Sequence, residues 1–488
     1  MLKAIIIGSG IAGIASALRL NKKGYDVTVF EANSYPGGKL HAFRKDDFRF
    51  DAGPSLFTMP WLVDELFELY DLNPKDYFNY KSIDVVCNYF WEDGTKFTAK
   101  ADQEAFVKEA AQKFDTKPEL IFNYLKSSRE KYDLTANIFL EKSLHKLKTY
   151  LSKDTINALL ALSKLSINST LNEVNRQYFS NAHLVQLFNR YATYNGSSPF
   201  KTPGIMSMIP HLEMNQGTYF PKGGMHAITK SLFELAKTQG VKFQFDTPVQ
   251  KINHQEGKVT GVFTQKEFHT ADLVVSNMDV FSTYNRLLQN TKKPDRVLKQ
   301  ERSSSALIFY WGVNQSFSNL DLHNILFSDH YEEEFEYIFD KKQLHTDPTI
   351  YINISSKENQ EDAPIGKENW FVMINAPGNI GQDWEQIKKE ARANIIKKIN
   401  RILGIHLESL IETESVLDPI TIETKTSSHQ GSLYGASSNS KFSAFLRHPN
   451  FSSDIKNLYF CGGSVHPGGG IPLCMLSAKI VNDLIPSL

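Results

Sequence analysis

An α/β architecture built on a parallel sheet is what this sequence predicts, and three observations predict it. The first 31 residues read strand, glycine turn, helix, strand. The carboxyl end returns to the same strand–glycine–helix order. Between them lies a mostly helical stretch with no proline between Pro118 and Pro199, followed over 300–445 by strand-like runs alternating with helical ones.

Composition fits an ordinary folded protein. The 488 residues are 41% hydrophobic, 12% aromatic and 22% charged, which excludes a disordered or collagen-like chain. Lys plus Arg equals Asp plus Glu at 54 each, so no overall field recruits nucleic acid. Cys87, Cys461 and Cys474 carry no CxxC spacing for zinc or dithiol chemistry, and a reduced, cytoplasmic setting is expected. No run reaches the ~18 apolar residues of a spanning helix, so any membrane contact is expected to be peripheral.

The amino-terminal unit has the parts of a dinucleotide site. Ala4–Ile7 reads as a buried parallel strand, and a helical pattern runs from Ile11 to Leu20. Between them stands Gly8-Ser9-Gly10-Ile11-Ala12-Gly13. Gly8 suits the tight turn, Gly10 lets backbone approach a pyrophosphate, and Gly13 lets helix and strand pack closely. The helix N-terminus offers unpaired N–H groups to phosphate. A second strand, Asp26–Phe30, delivers Glu31 (followed by Ala32) to a ribose.

Further glycines select the dinucleotide. Gly37-Gly38-Lys39-Leu40 places paired glycines before a cation, a second close approach to a phosphate-rich ligand. Phe50-Asp51-Ala52-Gly53-Pro54-Ser55 follows. Pro60–Leu72 reads as an amphipathic helix, and Leu140, Leu144, Leu147 and Leu151 form a helical stripe opposite Lys142, Lys146 and Lys153. That stripe suits either a helix on an anionic bilayer or one packed on the core. The parallel sheet resumes at Gly223-Gly224-Met225, a helix ending near Gly240, Val249, and the run Leu273–Val275 leading to Ser276-Asn277. Ser355–Lys367 is polar and reads as a surface loop. At the carboxyl end, Asn457–Phe460 leads into Gly462-Gly463-Ser464, then His466-Pro467-Gly468-Gly469-Gly470-Ile471 and a helix from about Leu473 to Leu484. Gly463, Ser464, Gly470, Ile471 and Leu473 form a glycine-rich helix start, again a site for a partial negative charge on a bound ligand.

In this order the motifs resemble the phytoene desaturase family of FAD-dependent carotenoid desaturases over essentially the whole chain. The segments Arg190–Pro199 and Gly462–Pro467 are most similar to its 1-hydroxycarotenoid 3,4-desaturases. The resemblance implies noncovalent FAD, a nucleotide domain of 1–85, 215–295 and 450–488, a substrate domain of 86–100 and 296–449, and a helical insert of 101–214 that touches membrane. It implies a carotenoid drawn from the lipid phase and a carbon 3–4 double bond introduced by hydride transfer to flavin N5 and proton loss. No second GxGxxG and no CxxxxC pair is present, so electrons are expected to pass to oxygen or a quinone. His466 and Arg190 are the candidate catalytic groups; each has a bland alternative, a backbone-bonded imidazole and an ion pair in the tunnel wall. Phytoene desaturation, redox-neutral carotenoid isomerisation and amine oxidation remain alternatives on the same architecture. So does flavin-free prenyl binding.

Overall fold

The computed structural model describes residues 1–150, 155, 165–289 and 291–487. Its first layer is a five-stranded parallel sheet ordered Leu458–Phe460, Leu273–Ser276, Lys3–Ile7, Asp26–Phe30, Lys242–Gln244. Ala4–Ile7 of the central strand is apolar because both faces are covered: Ala4 and Ile6 pack under the helices, while Ile5 and Ile7 share a core with Ile252, Val259 and Val262 of a small antiparallel sheet. Ile11–Lys22, His226–Thr238 and Ile471–Leu484 share one core with this sheet. First and last segments of the chain are thus neighbours.

A second sheet of seven strands runs Ile411–Leu417, Ser305–Val313, Glu368–Ala376, Ile350–Ile354, His323–Leu326, Val85–Phe90, Lys96–Lys100. Pairing is antiparallel except between His323–Leu326 and Val85–Phe90. One face packs on Trp384–Leu403 through Trp370, Ile352 and Ile395, all fully buried. Helices Gln103–Lys113, Pro118–Phe139, Leu171–Tyr178 and Ala182–Asn189 share a core with the far strands through Tyr89, Trp91 and Phe97.

Three expectations change. The leucine stripe is not one helix: Pro118–Phe139 ends before Leu140, and Leu147–Tyr150 is a separate short turn. The carbonyls of Lys142, Ser143 and Leu144 accept from His466, Thr149 and Tyr150 side chains, so they are lost to a continuous helical ladder. Leu151 and Lys153 lie outside the described residues. The helix expected over Pro60–Leu72 spans Trp61–Glu68, the chain turning away with Asp71 at φ +60°. Ser355–Lys367 is a loop, yet its Asp362 is fully buried against Arg49. Arg49 also holds Asp51, joining loop and strand into one ion-paired cluster.

Candidate active site

A cavity of about 830 Å³ opens where the parallel strands end. Ile7, Phe30, Asn277 and Gly462 each stand at or just beyond the carboxyl end of a strand and line it, the usual place for a ligand in an open α/β sheet. Its opposite wall is the seven-stranded sheet. Leu417, Ile308, Met373, Tyr351 and Ile325 are register partners on five adjacent strands, and all five reach the cavity.

The cradle is shaped by close approach. Gly8 takes φ +93°, and its N–H donates to the Phe30 carbonyl at 2.8 Å. A methyl group on Gly13 would lie 2.1 Å from the Gly8 carbonyl oxygen, so helix and turn touch as main chain. The helix Ile11–Lys22 begins at Gly10 with no side-chain cap, and Gly10, Ile11 and Ala12 line the cavity. Gly37 donates to the Ser9 carbonyl at 2.8 Å and, with Gly38, adds a second stretch of main chain. At the other end of the chain, Gly470 opens Ile471–Leu484, also uncapped, with φ +103° and open space where a side chain would stand. Two bare helix N-termini therefore enter one cavity, a polar surface that suits a ligand with several negative atoms.

Asn277 joins the two ends. Its amide would stand 2.6 Å from a methyl group on Gly10 and 2.7 Å from one on Gly462, so it is wedged between them. The Glu31 carboxylate lines the cavity and is fixed by Ser9 N–H at 2.7 Å, Ser9 Oγ at 2.8 Å and Asn33 N–H at 2.9 Å. Ser9 thus serves behind the lining, as does Gly13. Ala32, Leu40, Gly53, Pro54, Ser55, Val249, Gly463, Ser464 and Ile471 line the cavity, whereas Leu473 packs on the core of the nucleotide sheet. Lys39 lines it too, but its Nζ donates to the Ser432 and Leu433 carbonyls at 2.9 and 3.0 Å. Burial brings its pKa down to about 8, and two of its donors tie the cradle to the 432–435 loop.

The two candidate catalytic groups part company. His466 is not among the cavity-lining residues. Its Nε2–H donates to the Lys142 carbonyl at 2.9 Å, burial lowers its pKa to about 4, and it is a neutral bracket for the 142–146 turn. Arg190 does line the cavity, in a buried ion pair with Glu213. Its Nε donates to Tyr89 Oη at 2.7 Å, and Tyr191 and Tyr194 donate to the same carboxylate. Burial opposes the guanidinium charge, but Glu213 outweighs it and Arg190 stays cationic. Cys474 also lines the cavity, its thiol pushed up to about 11 by burial.

The wall residues went unread in the sequence: Ile308, His323, Tyr351, Phe371 and Met373 among them. Phe371 and Met373 stand two apart on Glu368–Ala376 and share the cavity face, but the unbroken apolar run 370–374 hides which face that is. The 425–428 segment, which also lines the cavity, carries no signal either.

The cradle fits FAD. Gly8, Gly10, Ile11, Ala12, Gly37 and Gly38 offer main chain to its pyrophosphate, Glu31 an acceptor to its ribose, and Gly463, Ser464, Gly470 and Ile471 main chain to its ring system. The family described as flavin containing amine oxidoreductase matches residues 11–485. A 1-hydroxycarotenoid 3,4-desaturase of Flavobacterium sp. (strain P99-3) is 61% identical, covering 100% of this chain and 99% of its own. A phytoene desaturase of Fusarium fujikuroi is 30% identical, covering 99% of this chain and 88% of its own. Among solved structures, putrescine oxidase bound to putrescine superposes with a TM-score of 0.65 at 13% identity, covering 99% of this chain and 98% of that one; this likeness shows the fold. Cradle, fold and relatives agree: the chain belongs to the flavin containing amine oxidoreductase family, as an FAD-dependent oxidoreductase grouped with the carotenoid desaturases.

Proposed function

We propose that this enzyme introduces the carbon 3–4 double bond into a 1-hydroxylated acyclic carotenoid end group. The observation that carries the reading is a single cavity that passes from the glycine cradle to an apolar sheet wall. The 61% identical desaturase supports the choice of end group.

Desaturation removes one hydride and one proton from adjacent carbons, and FAD, when bound, supplies the acceptor for the hydride. The chain supplies placement. Leu417, Ile308, Met373 and Ile325 hold an apolar chain against the cradle and exclude water. Glu213, which also lines the cavity, is engaged by Arg190, Tyr191 and Tyr194, so it is held as an ion-pair partner. A proton adjacent to a charge delocalised along a polyene needs only a weak acceptor, which agrees with a wall of hydroxyls and hydrocarbon.

The same reading places the enzyme in the cytoplasm at a membrane surface, with oxygen or a membrane quinone as electron acceptor. Leu120, Phe122 and Tyr150, exposed in the helical part, support surface contact. No helix among the described residues is long and apolar enough to cross a membrane. Expression in cells that accumulate different carotenoids tests the reaction. A red-shifted pigment with one further double bond is expected only where the precursor carries the 1-hydroxyl; conversion of phytoene, or a product with no added double bond, overturns it.

A further inference from the structure

We propose that His323 recognises the substrate hydroxyl, its Nε2–H donating a hydrogen bond to the oxygen on carbon 1. The inference rests on the 1-hydroxylated substrate proposed above.

His323 is 3% exposed, yet it lines the cavity. It stands two residues before Ile325 on His323–Leu326, so both side chains share the cavity face of the sheet. Across the register lie Asn353 and then Phe371, while the row of Ile325 beside it runs through Tyr351, Met373 and Ile308.

Its hydrogen bonds are lopsided. Nδ1 lies 2.7 Å from Tyr351 Oη and 3.3 Å from Asn353 Nδ2. The Asn353 amide nitrogen also donates to the Leu322 carbonyl at 3.0 Å, which fixes it as nitrogen and Nδ1 as an acceptor. Burial holds the ring neutral, its pKa down to about 3, so the one proton sits on Nε2. That Nε2 is buried and has no partner among the described residues. A buried donor without an acceptor is rare, and on a cavity-lining residue we take it as the point to which the ligand brings an oxygen, the neighbouring side chains shifting to admit it. One neutral donor suits an alcohol better than a carboxylate or phosphate, which would call for a cation.

The position matches the chemistry. Carbon 1 is two bonds from carbon 3, so the hydroxyl must lie close to the reacting bond. Ser55 Oγ of the Gly53–Ser55 turn is 2.8 Å from Tyr351 Oη, and Tyr351 Oη is the partner of His323. Two hydrogen bonds therefore separate His323 from a segment of the cofactor cradle. By contrast, the oxygens and donors of Glu213, Tyr191 and Tyr194 are engaged with one another and with Arg190.

The test compares kcat/KM of FAD-loaded wild type and His323→Phe on a 1-hydroxylated acyclic carotenoid and on the same polyene without the hydroxyl. A loss of about tenfold to a hundredfold is expected for the hydroxylated substrate, with the other little changed and flavin content intact. His323→Gln, which keeps an N–H donor, is expected to recover part of the preference. Equal losses on both substrates, or none, overturn the assignment. In wild type carrying nitrogen-15 histidine, one Nε2–H signal is expected to shift on adding the hydroxylated carotenoid and not its counterpart; identical responses overturn the assignment without any variant. If wild type itself turns over both polyenes equally, the substrate reading fails first.

Discussion

Around Gly8–Gly13 and Gly470–Ile471 the cavity surface is largely main chain; across Ile308, Met373 and Tyr351 it is side chain. The first surface binds through geometry that glycine alone permits, the second through shapes that many residue sets could build. A cradle of this kind tolerates little change and keeps one ligand, whereas a side-chain wall can be rebuilt for different polyenes without touching the flavin.

The largest effect expected comes where the wall carries charge. Glu213→Leu leaves Arg190 buried and unpaired, and should cost about 3–5 kcal/mol in stability, read as the steepest fall in melting temperature. Gly13→Ala drives a methyl group into the Gly8 carbonyl and should cost about 3 kcal/mol. Its signature differs, because visible flavin absorbance should disappear from whatever protein folds. Retained flavin in this variant would break the contrast between the two surfaces.

Acid provides a third test, smaller for each histidine taken singly. His323, His448 and His466 are buried, with pKa values lowered to about 3, 4 and 4 by burial. The unfolded chain takes up those protons first as pH falls below about 6.5. Stability is therefore full above that pH and is lost downward toward pH 4, by about 1.4 kcal/mol per pH unit for each histidine. Melting temperatures between pH 7 and 5 should fall, and His466→Gln should flatten the slope. Smallest of all is Met373→Leu, a volume-conserving change on the wall that should cost under about 1.5 kcal/mol, leave flavin bound and alter only KM for the polyene.

The contrast also explains what could be read before any coordinates. Gly8, Gly10 and Gly13 are legible because strand, turn and helix admit no other residue there, and Glu31 follows at a spacing set by the same unit. Glycines after Cys461 could be matched to them by the same logic. The wall lacks such signals. Ile308 and Met373 are ordinary strand residues, and only the sheet register shows that they face one cavity. His466 misled for a physical reason: a histidine between glycines beside a flavin site is conspicuous in sequence, while the Lys142 carbonyl that occupies it lies 324 positions away. Arg190 could be expected to find an acid, though nothing short of the fold identifies Glu213. His323 carried no motif at all and became visible only through the atom it leaves without a partner.

The wedging of Asn277 between Gly10 and Gly462 has a consequence for the birth of the enzyme. Its cofactor pocket is assembled from segments synthesised at opposite times, so a nascent polypeptide halted before residue 458 holds only half a vessel. Capture of the flavin must then await the strand Leu458–Phe460 and the helix behind it, and a yellow product reports that synthesis has passed them.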